Sequence, residues 1–341
     1  MTSLFVAIAC SLAVPTYTTK SIDRGAYRIA YHEMGSGQPF VALAGGPGFS
    51  GRALWSFGYE MKEIAKTILF DQLGTGDSQL KDKDADLKPH LSIENTLKDL
   101  EALRKSLGYK KWNVFGQSWG TILAVKYAAT YPESVDRLVL ASVPGFGMLE
   151  QTPLGDNLKR IIPEKVQDEL LQISLNTTIS EEEKTEKLTL GVLPYYFSNL
   201  NEGLNLVKRA PGGMFNPKVF SFLYPSINRW QTYDGLAKNL EKWKGKSLIL
   251  QGHLDPAGSS MGYELKYRFL PEAKVKMIYG AGHFSWMERG QGDMFFMAVY
   301  DWLGKPMKPH WDADAFSNKE ELAHRKRMDA GWPFCYIPPK S

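Results

Sequence analysis

The chain has 341 residues, 43% of them hydrophobic and 23% charged, with a formal net charge of +4. Such a chain can bury one large α/β core or two smaller ones, and no internal repeat or low-complexity tract interrupts it. Its 41 basic residues are scattered, and the two short basic runs, "KPMKPH" and "HRKRMD", lie near the C-terminus. There they read as solvated surface, which argues against nucleic-acid binding.

The two cysteines, Cys10 and Cys335, form no Cys-x-x-Cys, which excludes a zinc ribbon or a thioredoxin-type motif. The six histidines are well separated, and none has metal-ligand spacing. A structural metal is therefore not expected.

Taken in chain order, the first feature is "SLFVAIACSLAV", an apolar run of twelve residues. It is too short for a membrane span and has the length of a signal-peptide core, although no basic segment precedes it. A first strand or a packed helix is the alternative. Cleavage would make the protein secreted or periplasmic; retention would leave it cytoplasmic. Residues 1–16 are set apart on this ground.

From Tyr17 to Met34 the residues alternate around "IDRG", as in a two-stranded hairpin. "PFVALAGG" (Pro39 to Gly46) and "KTILFDQ" (Lys66 to Gln72) are short continuous apolar runs, the mark of strands buried on both faces. Ile93 to Gly108 has helical spacing, with Leu97, Leu100, Leu103 and Leu107 in one stripe and Gly108 as its stop. A strand, "KWNVFGQ", a helix, "WGTILAVKYAATYP", and a strand, Val135 to Val143, follow.

The alternation then stops. Residues 144–242 carry helical patches such as "PEKVQDELLQISL" and "SEEEKTEKLTLGVL", broken by Pro and Gly. It resumes with "KSLILQGHLD" (Lys246 to Asp255), a helix near Met261 to Phe269, the strand "KVKMIYGAG" and the helix "GDMFFMAVYDWLG". This predicts an α/β fold: a mostly parallel doubly wound sheet over 17–143 and 243–304, interrupted by a helical segment, 144–242. Residues 305–341 form a proline-containing extension.

Chemistry enters at "VFGQSWGTI". Ser118 has Gly-x-Ser-x-Gly spacing between a buried strand and a helix. That context makes a sharp turn that lifts the hydroxyl above the sheet at a helix N-terminus, where negative charge is favoured. Gly116 and Gly120 are needed because side chains there would meet backbone. A serine hydroxyl needs a base, and His283 in "YGAGHFSWME" follows the last core strand. The base needs an acid, and Asp255 in "LILQGHLDP" ends another buried strand. The order Ser118, Asp255, His283 is that of the α/β-hydrolase fold. His253 is the second candidate for the base. For the oxyanion, the backbone N–H of Trp119 is one donor, and Gly46 in "ALAGGPGFSG" is the other.

The motifs "GGPGFSG", "DQLGTGDS", "GQSWGT", "GHLD" and "GAGHFSWME", in this order, make the chain resemble the proline iminopeptidase family of α/β-hydrolases over roughly Tyr27 to Gly304. That resemblance implies a helical cap over the three catalytic residues. It also implies cofactor-free hydrolysis of short peptides or related amides from the amino end. Expected substrate contacts are Gly45, Trp230 and Glu202. "DQLGTGDS", with Asp71, has a structural part beneath the site. The chain departs from the family pattern at Ala44, where a histidine usually stands, at Pro256 after the acid, and at Gln231 after Trp230. Glu202 and Asp234 are the candidate replacements for carboxylates that hold a substrate ammonium group. An esterase or amidase acting on small apolar acyl groups uses the same machinery without an amine. A non-catalytic ligand-binding protein of this fold stands third. An epoxide hydrolase or dehalogenase is disfavoured, because those mechanisms put a carboxylate where Ser118 sits. The partner expected is a small molecule or short peptide; the oligomeric state is left open.

Overall fold

Five of the chain's strands are buried along most of their length, and a strand of that kind needs cover on both faces. A computed structural model describes residues 18–145, 148–209, 213–229 and 233–305. The apolar segment 1–16, both cysteines, Trp230 and the extension after Lys305 lie outside the described residues.

The strands are β1 (Thr18–Asp23), β2 (Arg28–Met34), β3 (Gln38–Leu43), β4 (Ala65–Phe70), β5 (Trp112–Gln117), β6 (Val135–Ala141), β7 (Lys246–Gly252) and β8 (Lys274–Ile278). They form one eight-stranded sheet in the order β1-β2-β4-β3-β5-β6-β7-β8. The β1–β2 hairpin and the β2–β4 pair are antiparallel, and every other pairing is parallel.

The helices are α1 (Trp55–Met61), α2 (Ile93–Ser106), α3 (Trp119–Thr130), α4 (Met148–Ile161), α5 (Glu164–Leu175), α6 (Glu181–Val192), α7 (Leu200–Arg209), α8 (Pro217–Arg229), α9 (Tyr233–Leu240), α10 (Met261–Phe269) and α11 (Gln291–Leu303). Six of them, α4 to α9, follow one another between β6 and β7.

The period-2 pleat sorts side chains to two cores. Val41, Leu43, Val114, Leu138, Leu140 and Ile249 face one side with residues of α2, α3, α9 and α10. Phe40, Ala42, Phe115, Val139, Leu248 and Leu250 face the other with residues of α1 and α11. Phe115 is fully buried and stacks on Phe57 at a centroid separation of 3.7 Å. Burying one such ring contributes roughly 1.5–3 kcal/mol.

Helix ends follow local rules. The Ser92 hydroxyl accepts from the N–H of Asn95 at 3.0 Å and caps α2. The apolar stripe of α2 is buried at Leu97, Leu100 and Leu103, and Gly108 beyond its end adopts φ +74°. β8 is one of the two edge strands, half exposed and carrying Lys274 and Lys276, which discourages pairing by a further strand.

The order β4-β3-β5 has a consequence for the site. The chain runs outward from β3 to β4, then crosses back to β5. At such a switch the loops leaving β3 and β5 diverge and open a crevice at the carboxyl ends of the strands.

Candidate active site

The loop after β5 begins with Ser118, which has φ 53° and ψ −121°. A non-glycine residue there is strained, and the neighbouring structure must hold it. Its N–H donates to the Ala141 carbonyl of β6 at 2.9 Å, and its carbonyl accepts the Thr121 hydroxyl at 2.6 Å. The turn is tight enough to need two glycines. A Cβ on Gly116 would lie 2.3 Å from the Gly120 carbonyl oxygen, and one on Gly120 would lie 2.1 Å from that of Leu43. Ser118 then stands as the N-cap residue of α3, whose first N–H groups have no partner within the helix.

Asp255 leaves the end of β7 and His283 leaves the end of β8. They are 28 residues apart in the chain, yet His283 Nδ1 lies 2.8 Å from Asp255 Oδ1 and 2.9 Å from Oδ2. Both are buried. A carboxylate only accepts, so the Nδ1 proton points at Asp255 and Nε2 is left as the basic nitrogen. Two further donors fix the carboxylate: the Ala257 N–H at 2.8 Å to Oδ1 and the Gln251 side-chain amide at 2.8 Å to Oδ2. The His283 backbone is pinned as well. Its N–H donates to the Tyr196 carbonyl at 2.7 Å, and its carbonyl accepts the Ser142 hydroxyl at 2.6 Å. Ser142 shares with Ser118 a left-handed φ, 54°.

Ser118 and His283 line one cavity of about 490 Å³ together with Gly45, Gly46 and Trp119. No hydrogen bond joins the Ser118 hydroxyl to the His283 ring. The roof comes from the helical stretch, with Leu154, Leu188, Leu193, Leu206 and Phe220 among its residues. Two phenols, Tyr196 and Tyr224, face the same space. Burial pushes both above the ordinary tyrosine value. Glu186 and His283 are the only ionisable groups besides these phenols in the described lining, and Glu186 is exposed.

A family model described as the alpha/beta hydrolase fold matches residues 38–290. The chain belongs to that family. The hydrolase is 26% identical to a proline iminopeptidase of Arabidopsis thaliana over 280 residues, 72% of this chain and 69% of that protein. It is also 26% identical to a proline iminopeptidase of Heyndrickxia coagulans over 298 residues, 84% of this chain and 99% of that one. Among solved structures, an alpha/beta fold family hydrolase from Bacillus anthracis str. Sterne aligns with a TM-score of 0.64 at 19% identity, covering 84% of this chain and 99% of that one. A likeness at that identity speaks to the fold.

The remaining residues singled out in the sequence have different fates in the hydrolase. Gly45 borders the cavity beside Ser118. His253 is exposed, and its ring packs 5.5 Å from that of Tyr279 rather than near Ser118. Glu202 accepts the Arg289 N–H at 3.3 Å and is not part of the described cavity lining. Trp230 and the side chain of Asp234 fall outside the description. Asp71 is fully buried under the site, where it accepts from the Ser50 hydroxyl at 2.6 Å, the Gly51 N–H at 2.8 Å and the Asp77 N–H at 2.9 Å, with His32 Nε2 at 3.1 Å. Burial alone would raise its pKa, but the contacts with His32, Ser50 and Asp77 outweigh burial and hold it below the usual carboxylate value.

Three supports of the hydrolase were not read from the sequence: Ser142, Gln251 and Glu288. Gln251 left a signal, a polar side chain in the otherwise apolar run "LILQG". Ser142 left none, and Glu288, although it closes the motif "GAGHFSWME", gave no sign of its contact with Ser198; their partners lie 141 and 90 residues away.

Proposed function

We propose that the protein is a serine hydrolase working through an acyl-enzyme. His283 Nε2 takes the Ser118 proton as Oγ attacks the substrate carbonyl, and Asp255 stabilises the imidazolium. The oxyanion that forms is received by the backbone N–H groups of Gly46 and Trp119. The imidazolium then gives its proton to the departing amine or alcohol, which leaves as the carbonyl reforms. Water repeats the sequence on the acyl-enzyme and frees the acid and Ser118. What supports this reading is the hydrogen-bonded Asp255–His283 pair opening into the same cavity as a strained serine at a helix N-terminus. The Ser118–His283 hydrogen bond forms as substrate binds, since such contacts tighten in the Michaelis complex.

The named relatives favour short peptides with an N-terminal, proline-type residue as substrates, held beneath the helical stretch acting as a cap. An apolar cavity of about 490 Å³ suits such a ring. A second reading, an esterase or amidase on apolar acyl groups, is favoured by one observation. No buried carboxylate stands in the described lining to meet a substrate ammonium group.

A three-substrate comparison separates the readings: a prolyl arylamide with a free amine, its N-acetyl copy and a simple aryl ester. Aminopeptidase action requires that acetylation abolish turnover; equal rates on the first two substrates reject it in favour of the esterase or amidase. Ser118→Ala is expected to remove turnover of all three, and a surviving rate would take Ser118 out of the mechanism.

A further inference from the structure

The loop that carries His283 is joined to the helical stretch by ring contacts, Phe197 stacking on Phe284 at 4.9 Å, and by one buried carboxylate. Glu288, on that loop and five positions after His283, is 2% exposed. Its Oε1 accepts the Gly282 N–H at 2.8 Å, and its Oε2 accepts the Ser198 N–H at 3.2 Å together with the Ser198 hydroxyl. Ser198 lies in the short connection between α6 and α7. Two residues earlier in that connection, the Tyr196 carbonyl accepts the His283 N–H, and the Tyr196 ring meets the His283 ring edge-on at 5.0 Å. The two segments touch so closely that a Cβ on Gly282 would fall 2.4 Å from the Tyr196 carbonyl oxygen.

We propose that Glu288 is a positioning residue: its carboxylate clamps the His283 loop to the Tyr196–Ser198 strap and so sets where the imidazole stands across the cavity from Ser118. This rests on the acyl-transfer reading above. The chemistry of the contacts explains the residue type. Three donors converge on Glu288 from two segments, so the site needs a group that only accepts, on both of its oxygens. A glutamine offers one accepting oxygen, and its NH₂ would confront either the Gly282 or the Ser198 N–H. An aspartate is one methylene too short to reach both segments. Burial raises the carboxyl pKa, and the donors from Ser198 and Gly282 oppose that rise. The clamp also joins the base to the roof of the cavity, since Tyr196 lines that space.

Full-length Glu288→Gln and Ser198→Ala proteins test the clamp. Three quantities decide: kcat and KM on an aryl ester, the rate of Ser118 labelling by an active-site phosphonate, and Tm. For Glu288→Gln, kcat and the labelling rate should fall together by roughly 10- to 100-fold, the scale of a misplaced catalytic group, with KM changed far less. Ser198→Ala, which removes only the hydroxyl contact, should show a smaller loss in the same direction. A labelling rate within roughly twofold of wild type in folded Glu288→Gln overturns the proposal, as does a loss no larger than its unfolded fraction. Should Glu288→Gln fail to fold, Ser198→Ala decides, and a wild-type labelling rate there is the contrary result. Ser118→Ala keeps the two ideas apart. Residual turnover in that variant condemns the acyl-transfer reading, whereas an inactive Ser118→Ala beside a fully reactive Glu288→Gln condemns only the clamp.

Discussion

The sheet and the helical stretch between β6 and β7 are built to different standards. Strands β5, β6 and β7 are buried along almost their whole length, and apolar side chains fill both faces of the sheet. In the helical stretch, α5 and α6 contain no buried residue, and Leu171 and Leu175 are 51% and 64% exposed. Among its described residues the buried apolar ones are few and fall mostly where it meets the sheet side, as at Val219, Leu223, Leu236 and Leu240. A segment with few buried contacts opens locally at lower cost than a core strand. The difference teaches where each task belongs. Ser118, Asp255 and His283 all leave the ends of strands, where position is enforced by packing. Much of the cavity lining comes from the looser helices, where side chains can vary without disturbing the sheet.

The largest test of this contrast is chemical. Asp255→Asn keeps the shape of the acid but turns its amide toward His283, which then presents the wrong tautomer. Under the proposed mechanism kcat falls by about 10⁴-fold with little change in Tm. A fall of less than roughly tenfold would show that the sheet end does not organise the chemistry.

Next comes packing. Phe115→Ala opens a hole between β5, Phe57, Trp286 and Phe295. It should cost about 3–5 kcal/mol in urea unfolding. Leu175→Ser in α5 should stay within about 0.5 kcal/mol. Comparable costs at the two positions would erase the distinction between tight sheet and loose helices.

The smallest effect depends on pH. Glu101 in α2 bonds Arg104 and the Tyr127 hydroxyl of α3, the latter at 2.8 Å. Burial raises its pKa, but the bonds from Arg104, Tyr127 and Ser134 overcome that and bring it from 4.5 to about 2. A depressed folded value means that the stabilisation is complete above the unfolded value and disappears as acid is added. The urea midpoint of the wild type should therefore exceed that of Glu101→Gln at neutral pH, and the gap should close between pH 4.5 and about 2. A gap that persists at the acid end would show that Glu101 acts by packing and not by charge.

Much of the architecture is written in local pattern. The helix expected near Met261 to Phe269 is there, as α10, and the apolar runs from Pro39 and Lys66 become β3 and β4 with ends shifted by one to three residues. The strand read from Lys274 to Gly282 ends at Ile278, because the chain turns there to bring His283 around. α1 was not legible. It is seven residues long and buried at Trp55, Ser56, Phe57, Gly58 and Met61, so it shows neither a polar face nor a length that separates helix from strand. Near the site, sequence pointed to Glu202, which is not part of the described cavity lining, and did not single out Glu288, which is buried, as are Asp255 and Asp71.

The amino-acid sequence by itself determined the α/β class, the sheet-forming segments and the strand–turn–helix around Ser118. Each of these depends on periodicity or turn chemistry within one short segment. Tertiary structure alone decided that His283 meets Asp255 rather than standing free, that Ser142 holds the His283 carbonyl, and that Glu288 reaches Ser198. Those contacts join residues 28, 141 and 90 positions apart. No local period encodes such separations; they exist only once the sheet order has brought the ends of β6, β7 and β8 side by side.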